Sequence, residues 1–332
     1  MNRSQHRLMM LFASVLLCVA ATFMPGRAQA QTCTANVSAM NFGTVSPITR
    51  AAVNGSGTIT VTCYWTVVSL SPTALVCLNL SAAQPRLLTQ SGGTATMQYD
   101  LYSDQAYSIS WGSTAAGTTP ISVNVQQPLL GTSASVTIPY YGQIAANQPT
   151  VPTVNNADTT YSHTFSASDS SLMYGYYLLG ILGPPGCSSL TSSGGGLNFT
   201  ATANVTNNCN ISASNIVFPA AGVLKSALTA TGTIAAQCTN GDAFRISLNG
   251  GSSAQVNART MVLSGGSATV GYQIYTDAAH TTLWGDTTNG TSAVYGTGSG
   301  NTASFTMYGV VPAQNTPQPG NYSDSVTATI SF

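Results

Sequence analysis

The chain carries two copies of one sequence pattern, and this internal repeat restricts its possible folds more than any other feature. Residues 94–112 read TATMQYDLYSDQAYSISWG, and residues 267–285 read SATVGYQIYTDAAHTTLWG, so the two copies align without a gap. Each copy follows a pair of cysteines at matched spacing. A period of about 175 residues is too long for a solenoid repeat and is typical of a domain. The sequence therefore predicts two related domains in tandem.

The first 30 residues belong to neither copy. Arg3 and Arg7 are followed by a nearly unbroken apolar run over residues 8–24 and by the small-residue sequence Ala28-Gln29-Ala30. This order is typical of a secretory signal peptide, so residues 1–30 are predicted to be cleaved. A signal anchor is the alternative, but the apolar run is short for a membrane span.

Six cysteines remain after the predicted cleavage, an even number in an exported chain. Such a chain is expected to form three disulfides in an oxidising compartment. The symmetry of the repeat pairs Cys33 with Cys63 and Cys209 with Cys238, and it leaves Cys77 with Cys187. Metal binding is the rival interpretation, but no Cys-x-x-Cys spacing occurs and both histidines of the mature chain lie far from any cysteine in the sequence. No metal site is predicted.

The composition excludes one class of partner. Charged residues make up 5% of the chain, against a usual share of about 25%. The chain has no glutamate, and Lys225 is its only lysine. Because binding to phosphates requires clustered lysine and arginine side chains, no nucleic acid partner is expected.

Strand patterns occur throughout the mature chain. Residues 58–62, 136–138, 244–248 and 326–332 alternate between apolar and polar side chains, with Gly, Asn, Ser and Pro clusters between such stretches. Short alternating strands separated by turn residues indicate an antiparallel β-sandwich. No stretch of the mature sequence follows the 3.6-residue period of a helix over a useful length, which excludes α/β enzyme folds.

The sequence also lacks a recognisable set of catalytic residues. The two histidines of the mature chain lie in different copies, and no serine stands in a nucleophile-elbow context. Asp104 and Asp277 occupy equivalent positions of the two copies, so they are predicted to be turn residues rather than a carboxylate pair. The chain is predicted not to be an enzyme and to bind no cofactor.

Several short motifs carry a resemblance to a known family. They are Asn41-Phe42-Gly43 and Val217-Phe218-Pro219 near the start of each copy, the later Tyr141-Gly142 and Tyr308-Gly309, and the final Gly320-Asn321-Tyr322-Ser323-Asp324. Together with the cysteine spacing they resemble the spore coat protein U domain family, which supplies subunits of archaic chaperone-usher pili. The resemblance covers nearly the whole mature chain, and a member with two domains resembles the tip adhesin of such a pilus.

The resemblance implies an all-β fold of two tandem immunoglobulin-like, pilin-type β-sandwich domains. It places an N-terminal tip (adhesin) domain at residues 31–206 and a C-terminal pilin domain at residues 207–332. It implies export through the periplasm of a bacterium to the cell surface, at the tip of a pilus. The implied partners are a periplasmic pilus chaperone, an outer-membrane usher, a neighbouring pilin subunit that donates a strand, and an abiotic or host surface.

Pilin domains of this family lack their last strand, so the resemblance implies that the second domain is incomplete and is completed by a donor strand. We expect the edge that accepts the donor strand or the chaperone at the end of the chain, at Val326, Ala328, Ile330 and Phe332. Fibre subunits of the family carry their donor strand before the first cysteine. The mature chain has only two residues before Cys33, so it is expected to donate no strand and to end the fibre.

The segment between the two copies is expected to close the first domain. Residues 197–205 alternate between apolar and polar side chains and lie just before Cys209, where a fibre subunit would carry its donor strand. We expect this segment to fold back as the last strand of the first domain. An ordinary last strand followed by a linker has the same geometry. Asn207 and Asn208 are then expected to form a very short hinge.

Two apolar segments distinguish the first copy from the second. They span residues 65–76 and 172–185, and a disulfide between Cys77 and Cys187 would join them at one end of the sandwich. We expect them to form an exposed apolar surface that attaches to surfaces and supports biofilm formation, whereas a buried strand pair is the alternative. The predicted adhesive residues are Val67, Val68, Leu70, Leu75, Leu172, Met173, Tyr174, Tyr176, Tyr177, Leu178, Leu179, Ile181 and Leu182.

Two other functions stay open on the sequence alone. One is a structural protein of a spore or cell coat, in keeping with the family name. The other is a sugar-binding tip whose pocket contains Trp65 or Trp111, or Tyr140 with Tyr141.

Overall fold

The computed structural model describes residues 31–66, 69–81, 83–178 and 184–332. The predicted signal peptide and the predicted adhesive residues Val67, Val68, Leu179, Ile181 and Leu182 lie outside these ranges. The described residues form 21 β-strands and four short 3-10 turns, and none of them lies in an α-helix, which confirms the all-β prediction. None of the described helical turns is long and apolar enough to cross a membrane.

The first domain contains twelve strands in two sheets. They are β1 (Thr32–Val37), β2 (Met40–Val45), β3 (Val53–Tyr64), β4 (Thr73–Leu80), β5 (Arg86–Gln90), β6 (Thr96–Tyr102), β7 (Ile121–Gln126), β8 (Ser133–Ile144), β9 (Thr159–Phe165), β10 (Ser170–Tyr177), β11 (Ser192–Gly195) and β12 (Phe199–Val205). The larger sheet has the order β1-β3-β8-β6-β5-β9-β12-β2, and the smaller one has the order β11-β10-β4-β7. The two sheets enclose one apolar core.

The second domain repeats this plan with fewer strands. They are β13 (Cys209–Ala213), β14 (Leu228–Cys238), β15 (Ala243–Leu248), β16 (Arg259–Leu263), β17 (Thr269–Tyr275), β18 (Val294–Thr297), β19 (Thr302–Val311), β20 (Tyr322–Ser323) and β21 (Ala328–Ser331). The sheets have the orders β13-β14-β19-β17-β16-β20 and β18-β15-β21. A separate apolar core lies between them, so the structure contains the two tandem domains that the repeat predicts.

The repeated tryptophan forms the centre of each core. Trp111 and Trp284 are fully buried, and each donates its indole N–H to a backbone carbonyl of the facing sheet, that of Leu78 at 2.8 Å and that of Ile246 at 3.1 Å. An indole buried with its N–H satisfied contributes a large apolar area without an unpaired polar group. This explains why the Trp-Gly end of the repeated motif recurs in both copies.

A buried arginine donates a hydrogen bond to the backbone carbonyl of each tryptophan. Arg86 donates to the carbonyl of Trp111 and forms an ion pair with Asp100, and Arg259 donates to the carbonyl of Trp284 at 2.9 Å. Burial lowers the pKa of Arg259, although nearby acidic groups oppose this effect. Because a buried guanidinium needs several acceptors, these two side chains fix the loops that carry the tryptophans.

The structure contains the three predicted disulfides, two from the repeat and one between the two remaining cysteines. Cys33 faces Cys63 across β1 and β3, and Cys209 faces Cys238 across β13 and β14, each with Cα atoms 4.1 Å apart. Each of these two bonds therefore ties the first strand of a domain to its neighbour. The third bond joins Cys77 on β4 to Cys187, with Cα atoms 5.8 Å apart.

Candidate functional site

The first domain is closed by the segment between the two copies. Strand β12 lies between β9, to which it is antiparallel, and β2, to which it is parallel. Phe199 faces Phe165 in this register, and Ala201 faces both His163 and Met40. Since β12 connects the two flanking strands into one sheet, it leaves neither of them as an open edge at this point.

The side chains of β12 alternate strictly between the core and the outside. Phe199, Ala201, Ala203 and Val205 are buried, whereas the residues between them are partly exposed. The ring of Phe199 stacks on Phe165 with ring centroids 4.4 Å apart. It lies nearly parallel to the indole of Trp111 as well, at 5.8 Å. One face of β12 is therefore an integral part of the core of the first domain.

Matching hydrogen bonds identify the equivalent place in the second domain. Ser214 exchanges backbone and side-chain hydrogen bonds with Thr233, as Ser38 does with Thr58, so Ile216 and Phe218 correspond to Met40 and Phe42 of β2. Tyr322 of β20 faces Leu263 in the way that Tyr161 of β9 faces Gln90. The place of β12 in the second domain thus lies between residues 216–218 and β20.

Within residues 207–332, all of which the structure describes, no strand occupies this place. Met40, Phe42 and Phe165 are buried in the first domain. Their counterparts Ile216, Phe218 and Val326 are only partly buried, and Tyr322 beside them is partly buried too. The result is a groove with apolar walls along one side of the second core. We call it the acceptor groove, after the acceptor edge that the sequence predicts in this part of the chain.

The predicted acceptor residues lie on and next to one wall of this groove. Val326, Ala328 and Ile330 are partly buried against the core, and Phe332 is exposed. Strand β21 pairs with β15 through one edge. The equivalent strand of the first domain is β10, and its other edge pairs with β11. After β11 the chain crosses to the larger sheet, where β12 pairs with β9. The acceptor groove therefore continues from β21 onto β20, which the sequence alone did not indicate.

A different titratable side chain lies at this wall in each domain. His163 on β9 shares a hydrogen bond of 2.8 Å with the hydroxyl of Tyr99, and burial lowers the pKa of the histidine. The equivalent hydroxyl of Tyr272 donates to Asp324, which also accepts hydrogen bonds from Ser252. Burial acts to raise the pKa of Asp324, but these hydrogen bonds outweigh it and lower the pKa. The wall of the acceptor groove therefore carries a negative charge.

One end of the first domain carries exposed leucines. β3 ends, β8 begins and β4, β7 and β10 meet at this end, where the backbone of Trp65 bonds to Thr132 and that of Gln127 to Pro72. Leu70, Leu129 and Leu130 in the connecting loops are 86%, 105% and 94% exposed. Leu178, just after β10, is 41% exposed. These four side chains form the set that we call the leucine end.

Several predicted adhesive residues do not lie on a surface. Leu75, Leu172 and Tyr174 are buried in the paired strands β4 and β10, so the prediction that they are exposed is wrong. Tyr176 and Tyr177 belong to the same strand and are partly buried, as is Met173. The hydroxyl of Tyr176 donates to the carbonyl of Tyr64 at 2.7 Å, which is a structural role. The alternative of a buried strand pair describes this part of the segment.

Leu129 and Leu130 were missed by the sequence analysis. They stand in the turn Gln127-Pro128-Leu129-Leu130-Gly131 between two strands. Two adjacent leucines in a turn bounded by proline and glycine have no strand or helix to bury them. Apolar residues within a turn sequence could therefore have indicated that these two leucines are exposed.

The aromatic residues proposed for a sugar pocket are largely inaccessible. Trp65, Trp111 and Tyr140 are fully buried, and only Tyr141 of the four is partly exposed. Stacking on a sugar requires an exposed ring face, so the first three residues do not form such a site.

The two aspartates of the repeat do not form a catalytic pair. Asp104 accepts hydrogen bonds from the backbone of Ser108 and Ile109, and Asp277 does the same with Thr281 and Thr282. The hydroxyl of Ser108 also donates to Asp104, and this bond, followed by those from the backbone, lowers the pKa of Asp104. The bonds from Thr281 and Thr282 lower the pKa of Asp277. Both are turn residues, as predicted. The described residues also contain no group of three histidine, cysteine, aspartate or glutamate side chains placed to hold a metal ion.

The two domains meet at a polar contact surface that we call the joint. Its core is Thr153, which donates to the buried carboxylate of Asp242, and burial raises the pKa of this carboxyl group. Around it, Asn240 donates to the carbonyl of Thr150 at 2.7 Å, and Asn156 donates to the carbonyl of Ala243 at 2.7 Å. The predicted hinge at residues 207–208 is therefore bridged by direct contacts between the domains.

One glycine in the joint lies directly against the backbone of the other domain. Gly300 has a φ of 73°, and a Cβ atom added to it would lie 1.6 Å from the carbonyl oxygen of Pro149. Only glycine fits such a position, because any side chain would overlap the facing backbone. The segment that carries Pro149 and Thr153 is longer in the first domain, where Tyr161 follows Gln148 by 13 residues, than in the second, where Tyr322 follows Gln314 by 8.

The sequence matches a family over both repeats. The Spore Coat Protein U domain family matches residues 19–165 and 197–329. The chain belongs to this family. The matched ranges include the first cysteine pair, both tryptophan motifs and β12, so the family pattern follows the repeated scaffold described above.

Many solved structures resemble this chain, and two of them come from complexes of a fimbrial tip subunit with a chaperone. One is a chain of the CsuC–CsuE chaperone–tip adhesion subunit pre-assembly complex from archaic chaperone-usher Csu pili of Acinetobacter baumannii, with 16% identity, a TM-score of 0.47, and coverage of 90% of this chain and 100% of that one. The other is a chain of a chaperone–tip adhesin complex of CFA/I fimbriae, with 9% identity, a TM-score of 0.27, and coverage of 89% and 95%. No curated protein matches the sequence. The family assignment therefore rests on the sequence match.

Proposed function

We propose that this protein is a subunit of a chaperone-usher pilus that lies at the distal tip and attaches the fibre to surfaces. The observation that carries the proposal is the difference between the domains at one equivalent place. β12 fills it in the first domain, and the acceptor groove lies there in the second. A domain closed by its own chain needs no strand from another subunit, whereas a domain with an open groove is suited to take one.

In this proposal the acceptor groove has successive partners. A periplasmic chaperone covers the groove first. At an outer-membrane usher, the donor strand of a neighbouring pilin then replaces the chaperone in the groove. The protein thereby passes through the periplasm to the cell surface. The wall formed by β20 and β21, with Val326, Ala328, Ile330 and Phe332, supplies the backbone and apolar contacts for each partner.

The leucine end is the proposed adhesive surface. β3 and β8 have twelve residues each, so at about 3.3 Å per residue they span about 40 Å from the joint to this end. Leu70, Leu129, Leu130 and Leu178 therefore project away from the second domain and from the rest of a fibre. Burying exposed apolar area against another apolar surface is favourable by about 25 cal/mol per Å², and it requires no specific ligand. Binding to abiotic and host surfaces, and biofilm formation, follow from this chemistry.

The adhesive role is tested by substituting exposed leucines with threonine. The variant Leu70→Thr, Leu129→Thr, Leu130→Thr, Leu178→Thr is expected to keep normal pili and to lose most attachment to polystyrene. Leu87→Thr with Ile109→Thr is the matched control, because these two side chains are also exposed on the first domain but lie elsewhere. Attachment and pilus number are measured in the same cells. Pili of normal number that still attach as the parent does would contradict the adhesive role of the leucine end.

A further inference from the structure

The first domain shows what its closing strand must look like, and the second domain has the same scaffold with different side chains. The groove walls correspond residue by residue through the matched hydrogen bonds and pairings. The side chains that β12 meets in the first domain can therefore be compared with those that an incoming strand meets in the acceptor groove.

The core around Phe199 is crowded in the first domain and reduced in the second. Phe199 packs against Phe165, Trp111 and Tyr140. The tryptophan is retained as Trp284, but Phe165 is replaced by Val326 and Tyr140 by Met307. Valine and methionine take up less space than the two aromatic rings that they replace. The acceptor groove therefore has more room at this point than the site around Phe199 in the first domain.

The middle of the groove keeps one pair of aromatic rings in both domains. In the first domain Ala201 faces His163 and Met40, and the hydroxyl of Tyr99 bonds to that histidine. Phe42 packs edge-on against Tyr99 with ring centroids 5.8 Å apart.

The second domain keeps this pair of rings as Phe218 and Tyr272, at 6.3 Å and in the same edge-on arrangement. The hydroxyl of Tyr272 donates to Asp324, the counterpart of His163. The ring pair that lies beside the alanines of β12 is therefore present here too, and the carboxylate of Asp324 disfavours a second acidic group beside it.

We infer that the strand which fills the acceptor groove carries one bulky apolar side chain opposite Trp284 and Val326 and small side chains at the next two inward positions. The strand runs antiparallel to β20, as β12 does to β9. This inference rests on the proposed function, since it describes the donor strand that the function requires. The partner is thus a pilin segment with a large–small–small series of inward residues.

Three donor strands fused after Phe332 through a flexible Gly/Ser linker test the inference. The first copies residues 195–205 of this chain. The second is the same strand with Phe199→Ala, Ala201→Phe and Ala203→Phe, which inverts the sizes. The third has valine at all four inward positions. Resistance of the second domain to a protease is measured for each fusion and for the unfused protein.

The copied strand is expected to slow cleavage of the second domain most. Losing a buried phenylalanine and forcing bulk into a packed site are both costly, so the size-inverted strand is expected to protect at least about 100-fold less. The uniform strand is expected to give intermediate protection. Equal protection by the copied and inverted strands, or better protection by the uniform strand than by the copy, would overturn the size pattern while donor-strand acceptance stands. If no strand protects the domain, donor-strand acceptance itself fails.

Discussion

The first and second domains share a scaffold but differ in how their cores are covered. In the first domain β12 lies between β9 and β2, and the side chains beside it are buried. In the second domain the equivalent residues 216–218 and β20 flank the acceptor groove, and their side chains are partly exposed. The buried tryptophan, the buried arginine and the first disulfide occur in both. The repeat therefore builds the same scaffold twice, and one strand, β12, covers the core of the first domain only.

A second difference concerns the segment through which the first domain contacts the second. The first domain has the long segment with Pro149 and Thr153 that forms the joint. The second domain has a shorter connection in the same place, between Gln314 and Tyr322. The contacts that hold the two domains together therefore have no direct counterpart on the second domain. Several direct contacts therefore hold the first domain in a defined orientation on the second.

The largest effect is expected from weakening β12. Phe199→Ala removes the ring that stacks on Phe165 and Trp111, and such a substitution in a core costs about 3–5 kcal/mol. The first domain should then unfold more easily while the second is unchanged, as calorimetry of the whole protein will show. Thr202→Ala, on the outer side of the same strand, is the control and should change stability by less than about 0.5 kcal/mol. An unchanged first domain in Phe199→Ala would mean that β12 does not close it.

An intermediate effect is expected from Gly300→Ala. The added methyl group overlaps the carbonyl of Pro149, and the residue has a left-handed conformation as well, so the cost should be about 2–5 kcal/mol. Gly290 has a similar φ of 75° but no atom near its missing Cβ, so Gly290→Ala isolates the conformational cost of about 1–2 kcal/mol. Calorimetry should show that only Gly300→Ala separates the unfolding of the two domains. Equal effects of the two substitutions would refute a close contact at the joint.

The smallest effect is expected from pH, and it should differ between the domains. Burial lowers the pKa of His163 in the folded state, so the unfolded chain binds more protons and the first domain loses stability as pH falls through the range below about 6.5. One such group contributes at most about 1.4 kcal/mol per pH unit. The pKa of Asp324 is lowered too, so its contribution to the second domain is lost only below the usual pKa of an aspartate.

His163→Gln sharpens this contrast. Without the imidazole, the stability of the first domain should become flat between pH 5 and 7, whereas the profile of the second domain should not change. Unfolding by denaturant at a series of pH values measures both profiles. A first-domain slope that persists in His163→Gln would assign the pH dependence to another group.

Much of the fold was predictable because it depends on short-range patterns. The alternation of residues 197–205 predicts a strand wherever it pairs, and it is β12 in the structure. The repeated cysteines predict their pairing because a repeated spacing implies a repeated geometry. The aspartates of the repeat predict turns because a short carboxylate bonds to nearby backbone N–H groups.

The candidate site was predictable only in part. The acceptor edge at Val326, Ala328, Ile330 and Phe332 stays a prediction. The sequence did not indicate that Ile216 and Phe218 lie across from it, because these residues are more than 100 positions away in the chain. It also assigned Leu75, Leu172 and Tyr174 to an exposed surface. An apolar run has the same local pattern in a central strand and in a sticky loop, so burial depends on what pairs with it.

Periodicity, cysteine spacing and internal repetition are properties of neighbouring residues, so they were enough to predict an all-β chain of two related domains. Which apolar residues are covered depends on the three-dimensional fold. It buries β10 between β4 and β11, and it leaves Leu129 and Leu130 at the end of the sandwich. It also bridges residues 207–208 with the joint. The physical reason is that coverage depends on pairings between segments far apart in the chain, which local patterns do not encode.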